Sequence, residues 1–209
     1  MKGAIGALIE VILFFFSAYT IRSYFGLYNI HDVAYYWLTF TILTGIWEFT
    51  YVTQKKLVVF MAQRLLDKSE HVWTKEYPII MILPTYLAKV FYAEYGAYAD
   101  REYMYLKDKW SIAIEGTHCC LCGLFSLLSM IASLYNNPTM FYICMAVAMG
   151  TQLMNSILYL SQYMIQTKDP NSINYDTEDF PCGPYMLNRP FMWINLFWSL
   201  MPSLIILSY

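Results

Sequence analysis

Five apolar runs constrain this chain more than any other feature: Gly3–Ile21, Val33–Val52, Trp110–Ala132, Met140–Ile165 and Phe191–Ser208. Each approaches the ~20 residues that an α-helix needs to cross a hydrocarbon core about 30 Å thick. A soluble domain of 209 residues, 58% of them hydrophobic and 13% charged, has too much surface to hide such runs. The expected class is therefore all-α: a polytopic membrane protein, folded as a five-helix transmembrane bundle and forming one domain over residues 1–209. Lys2 ahead of the first run gives it the look of a signal peptide. It carries Glu10, however, and lacks a small-residue cleavage site, so it is read as a span.

A sixth run, Tyr77–Ala93, contains Pro84 and Lys89. Charge asymmetry decides its status, because Lys and Arg accumulate on the cytoplasmic side. With five spans, every Lys and Arg except Arg22 falls on the face shared by the N-terminus, the 53–109 segment and the 166–190 loop. Adding 77–93 as a span places Lys89 inside it and divides the other twelve, Arg22 included, six and six between the two faces. The expectation is five spans, a cytoplasmic N-terminus, and an interfacial or re-entrant segment at 77–93 packed on the bundle.

The net charge of −2 says little about partners, and with no basic cluster beyond membrane-flanking residues nucleic acid is not an expected partner. Cys119, Cys120 and Cys122 lie too close together on one apolar helix to converge tetrahedrally on zinc, and they read as small buried hydrophobes. There is no Gly-rich phosphate loop, glycosylation acceptor or internal repeat. Neither a metal nor a cofactor is expected.

Ionisable and polar side chains within spans are expensive to bury, and they normally face the bundle interior. Thr44 and Glu48 are one helical turn apart in the second run, and Glu115 and His118 are i, i+3 neighbours in the third. Gln152, Asn155 and Tyr159 make a polar stripe in the fourth, and Asn195 and Trp198 one in the fifth. Four stripes of this kind can converge on a pocket. Each residue also has a plainer use: Asn and Gln bridge helices, aromatics pack, and Glu10 reads as reaching towards headgroups.

Two carboxyls and an imidazole in one dry pocket supply an acid and a base together. Placed in a membrane, such a pocket selects a lipophilic substrate. A proton delivered to an alkene and another removed nearby move a double bond without a cofactor, and the face of Trp198 can stabilise the transient carbocation.

The stretch "ADREYMYLKDKWSIAIEGTHCCLCGLFSLLSMIA" resembles the central motif of the emopamil-binding protein family of sterol Δ8–Δ7 isomerases, the EXPERA domain. That motif runs K-G-D-S-R-Y, a spacer, Asp, then V-E-G-I-T. "YAEYGAYADREY" is similar to the segment that leads into it, and "WEF" around Glu48 matches the second-helix glutamate. "PYMLNRPFMWINLFWSLMPSLIIL" is similar to the last helix of the family. The resemblance spans about 35–209. Thr44 stands where the family has histidine, His118 where it has threonine, and Asn155–Ser156 where it has Gly–Asp.

The resemblance implies an endoplasmic-reticulum membrane isomerase acting on a sterol or related triterpenoid, inhibited by lipophilic amines that mimic the carbocation. By position, Glu48 and Glu115 would be the acid–base pair. Asn195 would hydrogen-bond a carboxylate or the substrate, Trp198 would face the cation, and His118 would shuttle protons. Asp100 and Tyr103 would belong to the motif before the third helix, and Thr44, Gln152, Asn155 and Tyr159 would line the substrate pocket. A homodimer is one admissible assembly. Two alternatives stay open: a non-catalytic sterol- or amphiphile-binding protein, and a membrane terpene cyclase.

Overall fold

The structure, a computed structural model, describes residues 1–102 and 109–209. It is 77% helical, with no strand among the described residues. The helices are α1 (Gly3–Phe25), α2 (Asp32–Thr53), α3 (Lys55–Lys68), α4 (Pro84–Tyr98), α5 (Lys109–Leu134), α6 (Pro138–Gln166) and α7 (Ile194–Ser208). Short 3₁₀ turns precede α4 at Ile79–Ile82 and α7 at Pro190–Trp193. Four segments are long and apolar enough to cross a membrane: Gly3–Phe25, Ile112–Leu134, Pro138–Gln166 and Pro190–Ser208. They are compatible with a multi-pass membrane protein.

The second expected span, α2, is 22 residues long but falls outside that set. Its sequence explains why. Threonines, tyrosines, tryptophans and Glu48 dilute its apolar content, and α2 packs against both α4 and α5. Surrounded in this way, it can carry more polar groups than a lipid-facing helix. The outer surface is apolar instead: Leu8, Phe16, Leu158 and Leu204 are more than half exposed. That inverts the soluble pattern and suits an acyl-chain environment.

The expected interfacial segment is largely α4, which starts on Pro84 at its first turn. Its 15 residues reach about 22 Å, short of a hydrocarbon core. Helix α3 was not anticipated, and it is amphipathic, burying Val58, Ala62 and Leu65 against α4. The buried Glu94 of α4 ties down the preceding loop. It accepts a hydrogen bond from the Val72 amide at 3.0 Å and meets His71 Nδ1 at 2.6 Å.

The same loop caps α1. Gly3 and Ala4 donate their amides to Lys75 and Trp73 carbonyls, so two orphan donors of the helix start find partners. A Cβ on Gly3 would sit 1.9 Å from the Val72 oxygen, so only glycine admits this approach. At the other end of α1, Arg22 is buried and bonds Asp32 Oδ1 at 2.7 Å and the Ile30 carbonyl at 2.9 Å.

Helix α5 presents Cys119, Cys122, Ser126, Ser129 and Ser133 as a buried stripe of small side chains. Small residues let α5 approach both α2 and α6 closely. All five cysteines are free, and Cys120 alone among them is exposed. Beyond α6, the 167–190 loop is fixed by Arg189, which is fully buried. It donates to the Tyr163 hydroxyl at 2.9 Å, the Asn174 carbonyl at 2.8 Å and the Phe180 carbonyl at 2.5 Å.

Candidate functional site

The polar stripes of α2, α5, α6 and α7 do meet. They line a partly open cavity of about 100 Å³, with α4 forming its remaining side. Thr44, Glu48, Glu115, His118, Asn155, Tyr159, Asn195 and Trp198 all line it. Each arrives by helical periodicity: Thr44 and Glu48 share one face of α2, and Glu115 and His118 one face of α5.

At the centre stand two carboxyls and an imidazole. Oε2 of Glu48 lies 3.6 Å from Nδ1 of His118, with the side chains 17% and 9% exposed. That distance is within ion-pair range but too long for a hydrogen bond, and Nδ1 has no hydrogen-bond partner among the described residues. On its other side the ring meets the Cys122 thiol, 3.3 Å from Nε2, and that thiol also lies 3.3 Å from Thr151 Oγ1. One ligand-type atom each from Glu48, Glu115 and His118 falls within 4.8 Å of the others. Among the described residues, those three groups could hold a metal ion. Bonds near 2.1 Å keep ligand atoms within about 4.2 Å of one another, so ion binding requires the trio to draw in.

A second polar feature is a line of hydrogen bonds running out of the cavity. Asn195 Nδ2 donates to the Tyr95 hydroxyl at 3.2 Å. Tyr95 and Tyr159 are hydrogen-bonded through their hydroxyls, and Tyr159 donates to Asp100 Oδ2. With the Tyr159 proton committed to Asp100, Tyr95 is the donor to Tyr159. The other Asp100 oxygen accepts from Asn174 Nδ2 at 2.6 Å. Burial, reinforced by the Asp100 carboxylate, holds the Tyr95 phenol well above its usual range, so it stays a donor. The line joins the cavity to the loop after α6.

Aromatic rings form most of the remaining wall: Trp47, Phe91, Tyr92, Phe191 and Trp198. Trp198 is held edge-to-face by Trp37 and Phe40, each with centroids 5.6 Å away. Such rings turn an electron-rich face to a passing cation.

Two expected pocket residues stand outside the cavity. Gln152 is buried and accepts a 2.8 Å hydrogen bond from the Trp37 indole, so it bridges α6 to α2. Asp100 acts through Tyr159 rather than at the wall. Tyr103 lies outside the described residues. Glu10 also differs from expectation: it is 5% exposed, turned into the protein rather than towards headgroups. Phe91, Tyr92 and Tyr95 of α4 line the cavity without being expected there, and Ser156 of α6, noted in the sequence only as a departure from the family pattern, joins them. The i, i+3 and i, i+4 spacing of aromatics from Phe91 to Tyr95 was the available signal.

No protein-family model, curated protein or solved structure matches the chain. The residues of the cavity therefore carry the functional reading.

Proposed function

We propose that this protein is an intramembrane isomerase that moves a ring double bond of a sterol or related triterpenoid. One observation carries the reading: Glu48, Glu115 and His118, from two different helices, crowd a single small cavity walled by aromatic rings. Protonation of an alkene carbon by Glu115 gives a tertiary carbocation. Loss of a proton from the neighbouring carbon to the Glu48–His118 pair forms the new double bond. Atoms and electrons balance with no oxidant, reductant or metal. Trp198 and the tyrosine rings face the positive charge in between. The resemblance of the Glu48, Glu115 and Asn195–Trp198 segments to the sterol Δ8–Δ7 isomerases supports the same chemistry. The same reading carries with it a bundle of five spans, α2 included, with α4 short of spanning, in the endoplasmic-reticulum membrane with the N-terminus cytoplasmic.

A second reading, amphiphile binding without conversion, is favoured by size. The carboxyl cavity of about 100 Å³ holds only part of a sterol-sized molecule. Trp47 and Phe91 also border a larger apolar cleft of about 590 Å³, which gives a lipophilic body room beside the carboxyls. Sterol profiling after expression in cells lacking sterol isomerase separates the two readings. Conversion of a Δ8 sterol is expected, with none by Glu115→Gln at equal protein levels. Binding of lipophilic amines without any product would leave only the second reading.

A further inference from the structure

The larger cleft has a polar feature of its own. It runs between α1, α2 and α4, and its walls include Phe14, Trp37, Phe40, Leu87 and Val90. At about 590 Å³ it is in the range of small-molecule sites. Val11, Phe15 and Val33 at its border are 51%, 52% and 45% exposed, so the cleft opens on the apolar outer face of the bundle.

Glu10 lines this cleft, and neither of its carboxyl oxygens completes a hydrogen bond among the described residues. The Trp47 indole lines it too, with its N–H acting as a donor towards the Glu10 carboxyl. Yet the geometry leaves Trp47 Nε1 without a completed hydrogen bond among the described residues. Buried polar groups in folded proteins are almost always paired, and leaving them unpaired costs free energy. Two such groups facing one apolar space therefore define what is missing between them. An indole N–H only donates, and a carboxylate only accepts. An ammonium would satisfy Glu10 and leave Trp47 unpaired. A hydroxyl does both, donating to the carboxyl while accepting from the indole.

We propose that the cleft between α1, α2 and α4 binds a lipid alcohol, a bulky apolar body whose single hydroxyl sits between Glu10 and Trp47. The site borders the carboxyl cavity through Trp47 and Phe91 but uses none of Glu48, Glu115 and His118. It adds a seat for a hydroxylated lipid that enters from the bilayer.

The test uses the full chain in nanodiscs and a cholesterol analogue with a photoactivatable diazirine on its side chain. Labelling is mapped by mass spectrometry and competed with cholestanol or with cholestane, which lacks the hydroxyl. Labelling within Ala7–Phe15 and Tyr36–Leu43 is expected, with cholestanol competing at a mole fraction at least tenfold below cholestane. Glu10→Leu removes an unpaired buried acid, so it should fold with an unchanged or higher melting temperature and lose that tenfold preference. Glu10→Gln keeps a carbonyl acceptor and should retain part of it. Equal competition by the two sterols in the wild type, or an undiminished preference in Glu10→Leu, would overturn the proposal. Glu115→Gln should label as the wild type does; loss of conversion there with cleft labelling intact separates this site from the isomerase reading. If conversion persists and the Glu10 preference vanishes, the isomerase assignment fails while the lipid-alcohol site stands.

Discussion

His118 on α5 holds its Nδ1 3.6 Å from Oε2 of Glu48 on α2, joining the two helices inside the cavity. At an effective dielectric constant of 20, the attraction between opposite charges at that distance is roughly 4–5 kcal/mol. Desolvation of both groups offsets much of it. Removing one partner strands the other. Glu48→Leu and His118→Leu are each expected to cost about 1–3 kcal/mol, less than for a fully enclosed pair because Glu48 is 17% exposed. The double variant should cost less than the sum of the two. Melting temperatures in detergent across the four proteins measure the coupling; strict additivity would show that the pair does not interact.

The line from Asn195 through Tyr95 and Tyr159 to Asp100 makes a separate prediction. Tyr159→Phe removes the donor to Asp100 and breaks the link to Tyr95, at an expected cost of about 1–3 kcal/mol. Because Asp100 also holds Asn174 at 2.6 Å, the loss should be felt locally in the loop after α6. Hydrogen exchange should accelerate over 167–190 while the centre of α6 stays protected. Uniform acceleration along the chain would mean that the line is ordinary packing and no local anchor.

Four helices long and apolar enough to span were legible because run length and mean hydropathy are one-dimensional properties, and their ends in the structure fall within a few residues of the apolar runs. The polar stripes were legible for a related reason: helical periodicity puts Thr44 with Glu48 and Glu115 with His118 whatever the tertiary fold. Depth and direction were not legible. Glu10 sits near the start of an apolar run, yet which way it points depends on where α2 and α4 pack. Gln152 has the spacing of a pocket residue, but the Trp37 indole claims it. Helix α3 has an amphipathic pattern too polar to register among spans. Tyr95 reaches the site only because α4 folds back against α2, a contact no local pattern encodes.

Cys182, in the loop ahead of α7, gives a pH-dependent readout away from the membrane spans. Burial pushes its thiol above the usual range, partly opposed by nearby Arg189. The thiolate is the reactive form, so a raised value lowers the reactive fraction at neutral pH. Labelling by a water-soluble maleimide should be slow at pH 7 in the folded protein. It should rise about tenfold per pH unit until the thiol ionises. The stability sign follows: the unfolded thiol ionises first, so this contribution is intact below about pH 8 and declines as pH rises. Rapid labelling of native Cys182 at pH 7 would contradict the buried position.

The last prediction concerns how closely α2 and α5 must approach for the carboxyls to meet the imidazole. Gly45 lies one turn before Glu48, and a Cβ there would stand 3.1 Å from the Cys119 carbonyl oxygen and 3.4 Å from Gly123 Cα. Both obstacles are backbone, so no side chain can swing aside. Leucine at this position must push the helices apart in the turn that carries Glu48 and His118. Overpacking of this kind costs about 1–3 kcal/mol. Gly45→Leu should lower the melting temperature and erase the Glu48–His118 coupling. If the isomerase reading holds, it should also cut conversion at least tenfold, as small misplacements of acid–base groups do. Gly123 is the control: its nearest obstacle is Gly45 Cα at 3.9 Å, an ordinary contact, so Gly123→Ala should change stability and conversion little. Wild-type coupling in Gly45→Leu would show that the pair tolerates a wider helix spacing and that close approach does not set the site.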